Sequence, residues 1–176
     1  MGFSLQIYIR NKIIRMKYWS LYSFFVVAMF LISCDGGQVF EENRSISGES
    51  WHVDSLVVFE PEITDTLGSV NVYINIRNRG DYMYSNLFML VNTIFPNGKT
   101  ITDTVECVLS GKNGWYGSGL GGIWSHQILY KRNVRFPLTG SYRIEFEQAQ
   151  RYGKKAYILE LPNILDVGLR IEKFSN

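Results

Sequence analysis

The chain has 176 residues, 46% of them hydrophobic and 15% aromatic, with 18 basic and 16 acidic side chains, 16 Gly, 4 Pro and 2 Cys. That length fits one ordinary domain, the composition is neither disordered nor collagen-like, and two cysteines exclude a disulfide scaffold. The formal charge of +2 is unevenly placed: Arg10, Lys12, Arg15 and Lys17 precede Cys34, no acidic residue does, and the remainder carries 14 basic against 16 acidic groups, so a basic nucleic-acid-binding surface is not indicated.

From Leu21 to Ile32 the chain is uncharged and largely apolar, and it follows the four basic residues directly. A helix crossing a bilayer core of about 30 Å needs roughly 20 apolar residues, whereas a secretory h-region needs only about 7 to 15. Residues 1–33 therefore read as a signal peptide, with an uncleaved signal anchor as the alternative. Met16-Lys17 offers a shorter start than Met1, which makes residues 1–15 a candidate start-site extension; Phe3, Leu5, Ile7 and Ile9 alternate there with polar residues, without a module that must fold.

The leader ends Leu31-Ile32-Ser33-Cys34, which resembles the bacterial lipobox: aliphatic at −3, small at −1, and a thiol that receives diacylglycerol. Cleavage between Ser33 and Cys34 would leave Cys34 as the mature N-terminus, carrying lipid such as palmitate. Each buried methylene stabilises membrane binding by about 0.8 kcal/mol, so one acyl chain holds marginally and two or three hold durably. Asp35 occupies the position at which enteric bacteria retain lipoproteins in the inner membrane, a rule not carried over here; an envelope location is expected, with the outer membrane favoured over the inner. Residues 34–50, rich in Gly, Glu, Asn and Ser, read as a lipidated tether, and residues 51–176 as the folded domain.

Within that domain the apolar pattern has period two. Val70, Val72, Ile74 and Ile76 alternate with Asn71, Tyr73, Asn75 and Arg77, which predicts a half-buried strand. Leu87 to Phe95 is apolar on both faces and predicts a central strand covered on both sides. Pro96-Asn97-Gly98-Lys99 is a hairpin turn signal, and Pro137-Leu138-Thr139-Gly140 is a second turn between Phe136 and Ser141. From Thr100 to Leu109 one face carries Ile101, Val105, Cys107 and Leu109, interrupted by Asp103. Two further strands are predicted around Tyr142, Ile144, Phe146 and around Val167, Leu169, Ile171. Helical periodicity is missing after Cys34 apart from a turn near Pro162 to Leu165. The reading is all-β: an antiparallel β-sandwich of immunoglobulin-like or jelly-roll type, with seven to nine strands expected.

Candidate chemistry is sparse. His52 and His126 lack Cys, Asp or Glu partners at zinc-site spacing, so no metal is expected. His52 and Asp54 share a strand face, yet no nucleophile motif accompanies them, and no catalytic residue is assigned. Asp103 and Glu106 are three apart and fall on opposite faces of a strand, which disfavours a carboxylate pair. Cys107 lies on an apolar face and reads as a buried small hydrophobe. Lys131, Arg132 and Arg135 read as a solvated strand edge, where charge discourages sheet-to-sheet pairing. The glycine-rich run Gly111 to Gly122 lacks the Ser or Thr and the helix of a phosphate loop, so no cofactor is expected. Two readings of it remain open. In one, it is a structural connection in which Trp115 caps the sandwich and Trp124 begins the next strand; in the other, Trp115, Tyr116 and Trp124 dock a protein or stack on a sugar.

The order of short segments carries more information. A lipobox is followed by Trp51 with Asp54-Ser55, Ile76-Arg77-Asn78, Tyr84-Ser85-Asn86-Leu87 and Phe95-Pro96-Asn97-Gly98. Then come Asp103-Thr104, Gly114-Trp115-Tyr116-Gly117-Ser118-Gly119, Gly140-Ser141-Tyr142, Gln148 to Arg151, and Leu165 to Glu172. Over nearly the whole mature chain this resembles the gliding-motility lipoprotein GldH family of Bacteroidota. The resemblance implies a non-enzymatic cell-envelope lipoprotein, bound to the membrane by its N-terminal lipid and associated with envelope or motility-machinery proteins. It supplies no catalytic residues, and only Cys34 carries over with a defined chemistry. A carbohydrate-binding or adhesin-type surface module using the aromatic loop is the alternative.

Overall fold

A computed structural model describes residues 37–153 and 157–175. The predicted leader and Cys34 lie outside those residues. In chain order the strands are β1 (Gln38–Ser45), β2 (Ser50–His52), β3 (Val57–Phe59), β4 (Glu62–Ile63), β5 (Val70–Arg79) and β6 (Asn86–Ile94). They continue as β7 (Thr100–Val108), β8 (Ser110–Gly111), β9 (Gly114–Trp115), β10 (Ser118–Leu120) and β11 (Ile123–Val134). The last are β12 (Gly140–Ser141), β13 (Arg143–Gln148), β14 (Glu160–Pro162) and β15 (Ile164–Lys173).

Two antiparallel sheets carry the fold, a five-stranded one in the order β1-β15-β5-β11-β10 and a four-stranded one in the order β3-β13-β6-β7. Short pairs β12-β4, β14-β2 and β8-β9 close the ends. The all-β sandwich reading holds. Its physical basis is the period-two pattern: Val70, Val72, Ile74 and Ile76 of β5 and Ile144 and Phe146 of β13 are buried, as are Val167, Leu169 and Ile171 of β15. Burial of these alternating side chains between the sheets is the dominant stabilisation. Phe59 and Phe146 meet edge-on at 5.1 Å inside this core.

Both predicted turns form. In the β6–β7 hairpin Gly98 adopts φ +81°, its N–H donates to the Phe95 carbonyl, and the Lys99 N–H donates to Asn97 Oδ1. Gly140 takes φ +117° beside Pro96. There the Tyr142 hydroxyl donates to the Leu138 carbonyl (3.0 Å) and accepts from the Leu138 N–H (3.2 Å).

Two sequence expectations need correction. Residues 38–45, placed in the tether, form β1, which pairs along β15 from Gln38↔Glu172 to Ser45↔Asp166. The stretch is polar because it is an edge strand, where charged side chains blunt unwanted pairing; its Phe40 packs on the core. The second concerns Leu87 to Phe95. β6 is central in its sheet, but only Leu87, Met89 and Val91 are buried, while Phe88 and Leu90 on the other face are half-buried. Among the described residues no layer covers that face, so the apolar run exceeds what one-sided burial requires.

Sheet register fixes the two ends of the domain. Val70 of β5 lies beside Lys173 of β15 and Val134 of β11, and the Lys173 N–H donates to the Gly37 carbonyl. This is the basal pole, where the polypeptide enters the sheet. At the other end Arg79 lies beside Ile123, and the Gly80 N–H donates to the Gly122 carbonyl.

Candidate functional site

The end opposite the basal pole is built from aromatic rings. The β5–β6 connection supplies Tyr82 and Tyr84, the β8–β9 hairpin supplies Trp115, β11 supplies Trp124 and His126, and the segment after β13 supplies Tyr152. Their rings form a continuous line. Tyr152 meets Tyr84 at 5.9 Å, Tyr84 meets Tyr82 at 5.5 Å, and Tyr82 meets Trp115 at 6.4 Å. Trp115 stacks on Trp124 at 6.3 Å and contacts His126 edge-on at 6.1 Å. Such pairs contribute about 0.5–1.5 kcal/mol each beyond area burial.

Glycines let the rings close. A Cβ on Gly119 would lie 2.7 Å from the Trp124 ring, and one on Gly117 would lie 2.3 Å from the Ser125 carbonyl oxygen and 2.7 Å from His126 Nδ1. Gly117 and Gly119 are therefore required by close approach, since even one methyl group cannot be accommodated without displacement, whereas Gly114, Gly121 and Gly122 have open space and instead hold positive φ. Trp115 packs against the core, and Trp124 is partly covered. Tyr116 is 67% exposed and Met83 79% exposed at this same end, so outward access lies with them and with Tyr152.

His126 is buried in the line. The Asn78 amide N–H donates to the Arg79 carbonyl at 2.8 Å, leaving Asn78 Oδ1 to accept. The 3.0 Å contact between that oxygen and His126 Nε2 places the ring proton on Nε2. Burial holds this imidazole below its ordinary pKa, and burial likewise raises the Tyr82 hydroxyl. Both groups are neutral near pH 7.

The remaining candidates are dispersed. His52 Nδ1 accepts from the Asp54 backbone N–H at 3.1 Å, and the Asp54 carboxylate stands 3.8 Å away. Ser50, two residues before it, donates to Glu160 at 2.7 Å and not to His52, so these groups form no relay. Asp103 and Glu106 lie on opposite faces: Lys131 (2.7 Å) and the Tyr130 hydroxyl hold Asp103, whereas Glu106 accepts from Asn86 at 2.7 Å. Lys131 and Tyr130 hold the Asp103 carboxyl below its usual range. Cys107 is buried, which pushes its thiol up to about 12, so it carries no thiolate near neutrality. Among the described residues no three His, Cys, Asp or Glu side chains are grouped to hold a metal.

Sequence reasoning missed Tyr82 and Tyr152 altogether, and gave no contact role to Tyr84, Gln148 and Gln150, which it named only within segments that carry the resemblance. The two glutamines are buried; Gln148 donates to the Ile158 carbonyl, while Gln150 accepts from Phe88 N–H at 2.9 Å. They supply hydrogen bonds where strand pairing stops, which a polar residue past the end of a strand pattern does not announce.

Fold and site together define an all-β sandwich domain with one aromatic end. The GldH lipoprotein family model matches residues 38–171, so its match starts with β1 and runs into β15. A gliding motility lipoprotein GldH homolog of Christiangramia forsetii is 42% identical over 160 residues, covering 90% of this chain and 98% of that protein. The gliding motility lipoprotein GldH of Flavobacterium johnsoniae is 36% identical over 150 residues, covering 84% and 92%. The chain belongs to the GldH lipoprotein family, and is thus a membrane-anchored cell-envelope lipoprotein of gliding-motility type. Among solved structures, the K1 cleaved adhesin domain of Lys-gingipain from Porphyromonas gingivalis covers 82% of this chain and 88% of its own at 9% identity and a TM-score of 0.33, a level that carries no functional argument.

Proposed function

We propose that this protein is a non-catalytic structural or assembly component of an envelope complex of the motility type, anchored through a lipid on Cys34, with the outer membrane favoured over the inner. The observation that carries the reading is the family match over residues 38–171, together with relatives whose printed names are those of gliding motility lipoproteins. The aromatic end is the surface assigned to a protein partner. Tyr116, Met83 and Tyr152 expose apolar area there, and exposed aromatic and Met side chains anchored on a rigid base are the residue types that dominate protein interfaces.

A carbohydrate platform is the competing use of the same end. Stacking on a sugar needs a free ring face, and Trp115 and Trp124 already face each other, which favours protein docking. The test is a photo-crosslinker at position 116 in intact cells, run beside a glycan array on the purified protein. Crosslinks to defined envelope proteins, with a silent array, are expected. Binding to a defined glycan that is lost in Trp115→Ala, without protein crosslinks, would replace this reading by the carbohydrate one.

A further inference from the structure

We infer that the basal pole is a membrane-docking surface, seated on anionic lipid headgroups, so that the aromatic end is held away from the bilayer. The inference rests on the proposed lipidation of Cys34. Only Asp35 and Gly36 separate Cys34 from Gly37, whose carbonyl is fixed in the sheet by the Lys173 N–H at 2.7 Å. Three residue steps reach at most about 11 Å. The 10-residue β5 that joins the two poles is about 33 Å long at the usual rise per residue. With a linker that short, the aromatic end reaches the lipid surface only if the domain lies on its side.

Side chains at the basal pole fit a headgroup layer. Lys99 in the β6–β7 turn, Arg132 and Arg135 at the end of β11, and Lys173 at the end of β15 are exposed, and Arg135 reaches the Ser69 hydroxyl at 3.4 Å. Between them the β4–β5 loop projects Leu67, 83% exposed. Asp65 shapes that loop, accepting from the Leu67 and Gly68 N–H groups at 2.8 and 3.0 Å. Those bonds, together with the nearby Lys173 charge, hold its carboxyl below the usual range. Glu62 also lies at this end, opposite Ser141 in the β4–β12 pair, and Glu172 is held by Arg170 at 3.1 Å. An apolar tip ringed by Lys and Arg is the arrangement that enters an interface: the tip inserts and the cations meet phosphates within a Debye length of about 8 Å. The lateral alternative is disfavoured, because Glu106, Glu145 and Glu147 lie on the outer face of the four-stranded sheet.

The full lipidated protein, purified from membranes, is reconstituted into vesicles of equal parts phosphatidylethanolamine and phosphatidylglycerol. Single cysteines at Leu67→Cys and Met83→Cys, both exposed loop positions, carry an environment-sensitive fluorophore that lipid-borne quenchers can reach. The label at position 67 should be quenched several-fold more than that at position 83. The triple variant K99E/R132E/R135E should lower quenching at position 67 without releasing the protein from vesicles. Equal quenching at the two positions, stronger quenching at position 83, or no effect of the triple variant in protein that still floats with vesicles overturns the docking inference and leaves lipidation standing. Protein that neither floats nor carries acyl mass on Cys34 removes the lipidation reading, and this inference with it.

Discussion

At the aromatic end, Tyr152, Tyr84, Tyr82, Trp115 and Trp124 run ring against ring over glycines that tolerate no side chain. At the basal pole, Leu67, Lys99, Arg132 and Lys173 project from turns and strand ends into solvent. The same two sheets thus end in a packed surface on one side and a charged one on the other. Packing at the first end makes its geometry dependent on every member. Side chains at the second end act one by one, and the fold does not depend on them.

The largest expected break in that contrast is Trp115→Ala, which removes the contacts with Trp124, His126 and Tyr82. It should cost about 3 kcal/mol in urea unfolding, whereas Leu67→Ala should stay within about 0.5 kcal/mol. Equal losses would abolish the distinction between the ends. Next comes a pair of glycine substitutions. Gly117→Ala drives a Cβ against the Ser125 carbonyl and should cost about 2 kcal/mol. Gly98→Ala meets nothing within 4 Å but must hold φ +81°, and should cost about 1 kcal/mol through backbone strain alone.

A smaller, pH-dependent effect sharpens the contrast further. Burial holds the His126 pKa below that of an ordinary histidine, so the unfolded chain binds the proton more tightly. Its contribution to stability is complete above about pH 6.5 and is lost as the pH falls through the folded-state pKa. Denaturant midpoints should fall between about pH 7.5 and pH 5.5, and His126→Gln should flatten that slope; an unchanged slope would show that the buried imidazole is not its source. The smallest effect is expected for Asp103→Asn, whose Lys131 and Tyr130 partners are partly exposed. It should cost under about 1 kcal/mol, measured by thermal unfolding.

Much of the fold was legible because burial here is one-sided and strictly alternating. β5, β13 and β15 declare their inner faces in the residue pattern, and Pro96-Asn97-Gly98 declares its turn. β1 did not, because an edge strand needs only an occasional apolar side chain such as Phe40, and its Glu-Glu-Asn-Arg stretch has the composition of a tether. β6 misled in the opposite direction, with Phe88 and Leu90 on a face that no layer covers among the described residues. Of the aromatic end, Trp115 and Trp124 were visible through their glycine setting. Tyr82, Tyr84 and Tyr152 were not, since their ring contacts join segments far apart in the chain and follow no local period.

Position in the envelope is central to the proposed role, and under that proposal it depends on one thioether at Cys34. Mass spectrometry of the N-terminal peptide from membrane-purified protein tests this most directly. The account predicts a mature chain beginning at an acylated Cys34, with Cys34→Ser accumulating as an unlipidated precursor. A wild-type protein that retains residues 1–33 and carries no acyl mass at Cys34 would contradict it.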